Sequence, residues 1–599
     1  MTRSYDIILS LIDETDDDLL TLEILLLKFC SNEEESNLCF NHLYKYKNHQ
    51  QCTILMIAIL QNRLNLIQML LTKFRKSIDL EFRGSIKYKT HYRCGVTALS
   101  AAVCVGNLQI IKLLIENGAD IQTRNNYNET PVYLATDLCK FDIVKYLIEE
   151  IHVDIHRITN ENNTCLNIAG IHGHLKLIKY LLETTDININ HQNRNGDTSL
   201  HLAIEKNHIN AVKLLLSYQK IRIDIENNQK MTPLESAAVC LQEVIVNYIL
   251  NLENLIQIQD KISILELLGA SFLCRYTNIS DYNKTYEYLN QAMRLRISNG
   301  IIKISNQPIS AYKNHMECLT IDELESIRYQ DEVLHLEALV IYDRLLLLKN
   351  GLELLYCIEN QALICMENSE FDRSIDLCIH GLELSIINDD INRNIQNIGE
   401  RMFHICLLMK RISEIYLIIF SFKCFENLMT RFFEIFYLTI HQFQQLYQKV
   451  IEAQYSTGAF SSTEYSFVKN VLPLIYIITK VKLKQNEQIQ FYELIQWINQ
   501  FCKHTSSFSE TLIHFCCSEA SSFCPDIIQL LLHYDFHINI FDCRGNTPLH
   551  YLFQVTSDGK LTVVENIFNL FLNTNRLHPD YIDRNGKTPL DQAKYSQLV

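Results

Sequence analysis

A six-residue pattern, threonine first and alanine last, recurs at almost constant spacing and constrains this chain more than any other feature. It reads Thr97-Ala98-Leu99-Ser100-Ala101-Ala102, then Thr130-Pro131-Val132-Tyr133-Leu134-Ala135, then Thr164-Cys165-Leu166-Asn167-Ile168-Ala169. Thr198-Ser199-Leu200-His201-Leu202-Ala203 and Thr232-Pro233-Leu234-Glu235-Ser236-Ala237 follow, at intervals of 33, 34, 34 and 34 residues. A period of this length means stacked supersecondary units, each burying its apolar face against the next. Each copy has the matching local chemistry. The threonine hydroxyl suits a helix N-cap, and the small alanine lets paired helices approach. Leu108, Ile111, Leu114 and Ile115 mark a second helix by their spacing. Gly118 ends it, and Asp120-Ile121-Gln122 opens a finger towards the next copy. With only 16 Gly and 8 Pro in 599 residues, a turn-rich all-β fold is excluded.

The pattern resembles the ankyrin signature, with its period of about 33 residues. A degenerate copy opens at Thr53-Ile54-Leu55-Met56-Ile57-Ala58, 44 residues before Thr97, so roughly eleven residues are inserted between them. Near the end, Thr511-Leu512-Ile513-His514, Thr547-Pro548-Leu549-His550 and Thr588-Pro589-Leu590-Asp591 repeat the unit at spacings of 36 and 41. Between the arrays the period is lost but helical periodicity persists. Glu266 to Phe272 with Tyr286, Leu289, Ala292 and Met293 reads as one tetratricopeptide-like helix pair. Tyr356, Ala362 and Leu363 with Phe371 to Ile375 and Leu382-Glu383-Leu384 reads as another; 285–350 reads as helical only. The expected fold is an all-α solenoid with short β-hairpin fingers. Its parts are a degenerate helical cap at 1–50, an ankyrin array at 51–250, a tetratricopeptide-like domain at 251–505 and a second, short ankyrin array at 506–599.

Composition narrows the function class. The net charge of −15 argues against nucleic acid or an anionic membrane as partner. The 20 Cys lie scattered in apolar runs without a CxxC pair, which points to a reducing compartment, the cytoplasm, with the nucleus compatible. The N-terminal apolar run is too short for a signal peptide and is followed by acids. The most apolar stretches, Ile415 to Phe420 and Val471 to Ile478, are shorter than a membrane span. No GxSxG, HExxH, GxGxxG or EF-hand pattern occurs, so no enzyme activity and no cofactor are expected. Gly586-Lys587-Thr588 mimics the end of a phosphate loop, but Tyr581 stands where the earlier glycine belongs. His514, Cys516, Cys517, Cys524 and His533 lack zinc-ligand spacing, so no metal is expected.

The order of parts, with the strings Ile264-Leu265-Glu266-Leu267-Leu268-Gly269-Ala270 and Gln291-Ala292-Met293-Arg294-Leu295-Arg296, resembles the feminisation (Fem-one) family of ubiquitin-ligase substrate receptors. The long insertion from Ser77 to Gly95 also sits where that family has one. The resemblance implies an adaptor that holds the C-terminal degron of a substrate protein in its first ankyrin groove. It also implies elongin and cullin-RING ligase subunits as partners. Family members continue past the last repeat into a helical box that docks those subunits; here the sequence stops at Val599. An ankyrin and tetratricopeptide scaffold without ligase coupling is therefore the alternative. Two family positions that are acidic in degron-arginine readers align with Lys89 and Leu138, the latter beside Asp137, so a C-terminal arginine is not expected to be read in the same way.

The candidate peptide-binding residues are Lys87, Tyr88, Lys89, Tyr133, Asp137, His172 and Glu205. The first three belong to a locally basic, aromatic insertion, Phe82 to Arg93, in an acidic chain. Its charges suit a terminal carboxylate or acidic side chains, and insertions in repeats usually map to a binding face; a solvated hairpin is the alternative. Tyr133, Asp137, His172 and Glu205 fall at or near the ends of first helices, where a concave surface forms, and ordinary exposed polar residues would look the same. His201 and His550 hold the histidine position of the signature and are expected to tie neighbouring repeats together by hydrogen bonds.

Overall fold

A computed structural model describes residues 33–387 with interruptions at 47–49, 89–90, 253–255, 275–280, 305–306, 348 and 350. It also describes isolated positions within 23–27 and 405–448, and residues 461–592 except 480–484, 506–509, 523, 556–559 and 575. The chain divides into two compact units, Met1–Ile264 and Leu265–Val599.

In the first unit each motif threonine starts a short helix. Thr53, Thr97, Thr130, Thr164, Thr198 and Thr232 all sit in extended backbone and accept a hydrogen bond from the amide three residues on. That satisfies one of the otherwise unpaired first-turn donors. The helices are Ile54–Leu60, Ala98–Val105, Pro131–Asp137, Cys165–His172, Ser199–Glu205 and Pro233–Val239. Each is followed by an amphipathic second helix, Leu64–Lys73, Leu108–Glu116, Phe141–Glu149, Leu175–Thr184, Ile209–Leu216 and Glu243–Leu250. In Leu108–Glu116 the buried side chains are Ile110, Ile111 and Leu114, whereas Leu108 and Ile115 are half-buried. Gly170 shows how closely first helices stack: a Cβ there would lie 2.8 Å from the carbonyl oxygen of Ser199 in the next repeat. The fingers are stitched by one backbone hydrogen bond per step. Asn126, Asn160, Arg194 and Asn228 donate to Cys94, Tyr127, Glu161 and Asn195 in turn.

The expectation of short fingers is exceeded at the front of the array. Strands β1 (Tyr44–Tyr46), β2 (Gln50–Cys52), β3 (Gly84–Tyr88) and β4 (His91–Val96) form a four-stranded antiparallel sheet in that order. The segment expected to be a helical cap thus contributes helix Glu33–Phe40 and then a strand. The insertion builds β3 and β4, and β2 pairs with β3 across 34 residues of sequence through Gln51 and Ser85. Alternation fixes the faces. Ile86 and Arg93 are buried, whereas Lys87 and Tyr92 are exposed on the other side.

The second unit is mostly helical in its described residues. Gly269 of the Glu-Leu-Leu-Gly-Ala string lets helix Tyr282–Ser298 approach; its missing Cβ would lie 3.1 Å from Cβ of Tyr288. Helices Asp331–Leu346, Gly351–Glu367 and Phe371–Ile387 follow, and later Ser461–Thr479 and Gln485–Thr505. Further on, Leu512–Glu519 with Cys524–His533 and Pro548–Gln554 with Leu561–Leu572 repeat the short-then-amphipathic pairing. Thr511 and Thr547 begin the short helices with reciprocal capping boxes, and Arg584 donates its amide to Arg544 as the first unit's fingers do. Among the described residues no helix is long and apolar enough to cross a membrane.

Candidate functional site

The ends of the first helices carry the polar groups of the candidate surface. Asp137, the last residue of Pro131–Asp137, receives the guanidinium of Arg93 from β4 and lies 2.8 Å from Nε2 of His172, the last residue of the next first helix. Arg93 is also 3.6 Å from Glu129. Burial opposes ionisation of Asp137, but the hydrogen bond from His172 and the charge of Arg93 outweigh it and hold the carboxyl below the usual carboxylate range. His174 stacks on His172 at 5.3 Å and meets the Asp137 carbonyl oxygen at 3.4 Å. Burial first, and then the neighbouring His172, push its imidazole towards the neutral form. One repeat further, Glu205 ends its helix exposed and pairs with Lys206 at 2.7 Å. Asp197, below it, is pushed up to about 6 by burial, an effect eased by a hydrogen bond from Asn227 and reinforced by Glu205.

The structure therefore joins Asp137 and His172 and separates others. Tyr133 is only 5 % exposed, so it does not line the surface. It stands three residues after its cap threonine, the position that Asn167 and His201 also occupy inside the array. Lys87 is exposed, but on the sheet face opposite Arg93, so it does not share a wall with Asp137 and His172. Only its backbone is held in place, by Gln50 Oε1 at 3.0 Å. Tyr88 ends β3, and Lys89 lies outside the described residues. The basic character of the insertion is partly spent internally, because Arg93 is ion-paired and Arg83 donates to the Arg124 carbonyl.

His201 links repeats as expected. Nδ1 accepts from the Thr198 amide at 3.2 Å and Nε2 reaches the Met231 carbonyl at 3.1 Å. His550 does the same between Thr547 and Lys587. His514, read in the sequence beside four other potential ligands, turns out to be a third such link, from Thr511 to Asn546. Its Thr-x-x-His spacing matches that of His201, which was the signal to follow. Among the described residues no group of three or more His, Cys, Asp or Glu is placed to hold a metal ion. Sequence reasoning did not anticipate Arg93 as the buried organiser of the site; strand alternation through β4 would have assigned it.

Comparison with known proteins agrees with the repeat geometry. A family model described as ankyrin repeats (3 copies) matches residues 3–125, 80–159, 99–193 and 166–261. Alpha-latrotoxin-Lh1a of Latrodectus hasselti is 51% identical over 51 residues, 8% of this chain and 4% of the toxin. Alpha-latrotoxin-Lg1a of Latrodectus geometricus is 32% identical over 104 residues, 17% of this chain and 7% of the toxin. Protein phosphatase 1 regulatory subunit 27 of Homo sapiens is 40% identical over 63 residues, 10% of this chain and 41% of that protein. The chain thus spans less than half the length of each. Residues 3–261 carry ankyrin repeats, and such repeats imply interaction with other proteins.

Proposed function

We propose that this chain is a recognition adaptor of a cullin-RING ubiquitin ligase, holding the C-terminal tail of a substrate protein across the first ankyrin array and forming no covalent bond with it. The observation that carries the recognition half is the row of first-helix ends, Asp137, His172 and Glu205, on three successive repeats whose fingers are stitched by backbone hydrogen bonds. A scaffold held this way loses little entropy on binding an extended peptide. Asp137 already holds Arg93 and His172, so the row offers no spare carboxylate there for a terminal arginine. The ligase half rests on the resemblance of the middle helices and of the order of parts. Under the same reading the helices at 258–298 and 351–387 are tetratricopeptide-like pairs. Residues 511–592 form a second ankyrin array, which their threonine–histidine caps support.

The test displays a library of C-terminal peptides, with free and amidated termini, to the full chain. The reading expects enrichment that depends on the free carboxyl and is weakened by His172→Ala and Glu205→Lys. Enrichment indifferent to both changes contradicts it. Co-purification of elongin and cullin with the full-length protein supports ligase coupling; a tail-binding chain that recovers neither is a scaffold instead.

A further inference from the structure

In the second unit a cleft of 620 Å³ opens between helix Gln485–Thr505 and the loop that follows helix Cys524–His533. One wall is a single helix face: Glu493 and Trp497 are one turn apart, and Gln500 continues the line. The opposite wall carries Tyr534, Phe536 and His537. Tyr492 bridges the walls, its ring 4.9 Å from that of Tyr534. Trp497 stacks on Phe501 at 5.3 Å and meets Phe467 edge-on, which fixes its plane while leaving the indole half-exposed at the cleft. Glu493 is exposed and, among the described residues, has neither an ion pair nor a hydrogen bond.

The loop's other side provides a contrast. There a second hollow, of 470 Å³, is lined by Asp535 and Arg576, and the chain's own guanidinium sits 2.6 Å from the Asp535 carboxylate. Asp535 lines the cleft as well but is taken by Arg576, so Glu493 is the cleft acid that no cation holds among the described residues, and Trp497 adds an aromatic plane one helical turn away. A planar cation satisfies both at once. Its face lies on the indole and its edge donates two parallel hydrogen bonds to the carboxylate. Ammonium lacks that shape and edge. The exposed Gln500 amide and His537 ring line the cleft and can meet flanking peptide groups.

We propose that this cleft binds an arginine side chain presented by an extended peptide segment of a partner protein. Trp497 supplies the face and Glu493 the counter-ion. The site lies in the second unit and is independent of the tail-binding reading of the first. Trp497 is the chain's only tryptophan, so intrinsic emission from the full-length protein reports on the cleft directly. The probe is a blocked pentapeptide with one central arginine among glycines and serines, compared with its lysine and citrulline counterparts. The arginine peptide is expected to change the emission saturably, with an affinity that falls as salt is raised. The lysine peptide should bind a few-fold more weakly, and citrulline, which keeps the shape without the charge, should lose binding. Glu493→Gln, at an exposed helical position, should weaken the arginine peptide about tenfold with an unchanged circular dichroism spectrum. His172→Ala, in the first unit, should leave this titration untouched. Equal binding of citrulline, an unaltered affinity in Glu493→Gln, or no saturable change overturns the proposal and leaves the tail-binding reading standing.

Discussion

In the N-terminal unit the links that recur from repeat to repeat are neutral, although Arg93, Asp137 and His172 add a charged cluster. The His201 imidazole spans from Thr198 to Met231, and finger amides meet finger carbonyls. In the second unit, residues 266–344 are joined by buried ions. Glu266 takes both Arg296, at 3.1 and 3.0 Å, and Arg344, at 2.8 Å; Arg344 also holds Glu317; and Lys303 sits between Glu317 and Glu337, with His315 on the latter. Three carboxylates face three permanent cations. Burial opposes the charge on Glu266, but Arg344 and Arg296 more than offset it and keep the carboxyl below its ordinary range. The first arrangement repeats a local device at every step. The second ties residues 30 and 78 positions apart and exists once. A repeated neutral link loses one hydrogen-bonded contact when cut, whereas a single ionic knot leaves buried charge behind.

That contrast can be broken at its strongest point. Glu266→Gln leaves Arg296 and Arg344 facing each other without their shared counter-ion and should destabilise the second unit by about 3–5 kcal/mol. Denaturant unfolding followed by Trp497 emission measures it; a loss under about 1 kcal/mol would remove the distinction between the two regions.

The next effect is a pH dependence whose sign differs by site. His201 and His514 are pushed down to about 4 by burial, against a weaker pull from their carbonyl partners. Below about pH 6.5 the unfolded chain takes up protons that the folded imidazoles refuse. Stability present at pH 7 is therefore lost as the pH falls towards 4, by up to about 3 kcal/mol for each histidine. Asp197, raised to about 6, has the opposite sign: the folded state binds its proton first, and stability grows as the pH falls through 6. The two offset each other around His201. Asp197→Asn should therefore unmask an acid loss of about 2 kcal/mol in the segment 198–216. Hydrogen exchange at pH 7 and pH 5 reads this directly, and an unchanged pH response in the variant would show that the offset does not operate.

A smaller effect is expected at Asp137. Asp137→Asn keeps the shape but removes the counter-charge of buried Arg93, which retains Glu129 at 3.6 Å; the expected cost is about 1–3 kcal/mol. The smallest belongs to a single cap: Thr164→Ala should cost about 1 kcal/mol, confined to helix Cys165–His172 in exchange measurements.

Local devices are also what a sequence displays openly. Cap threonines, the histidine three residues on and the paired helices could all be read from spacing, because each is completed within a few residues. The sheet was less visible, since β2 finds β3 only after an intervening helix pair. With the sheet unread, Lys87 and Arg93 looked like one basic patch, although strand alternation sends them to opposite faces. Tyr133 was misplaced for a different reason. Its position looked polar and exposed, yet the third residue after the cap threonine points into the stack, as Asn167 and His201 do. The ionic knot around Glu266 could not be read at all, because nothing local marks an arginine at 296 or 344 as its partner.

Hydrogen exchange of the full chain, with and without the best-enriched peptide from the terminal-tail display, tests the central claim most directly. The account predicts slowed exchange at the ends of the first helices, residues 131–140, 165–174 and 199–207, and little change around Glu266. Protection confined to the second unit, with those helix ends unaffected, would contradict it.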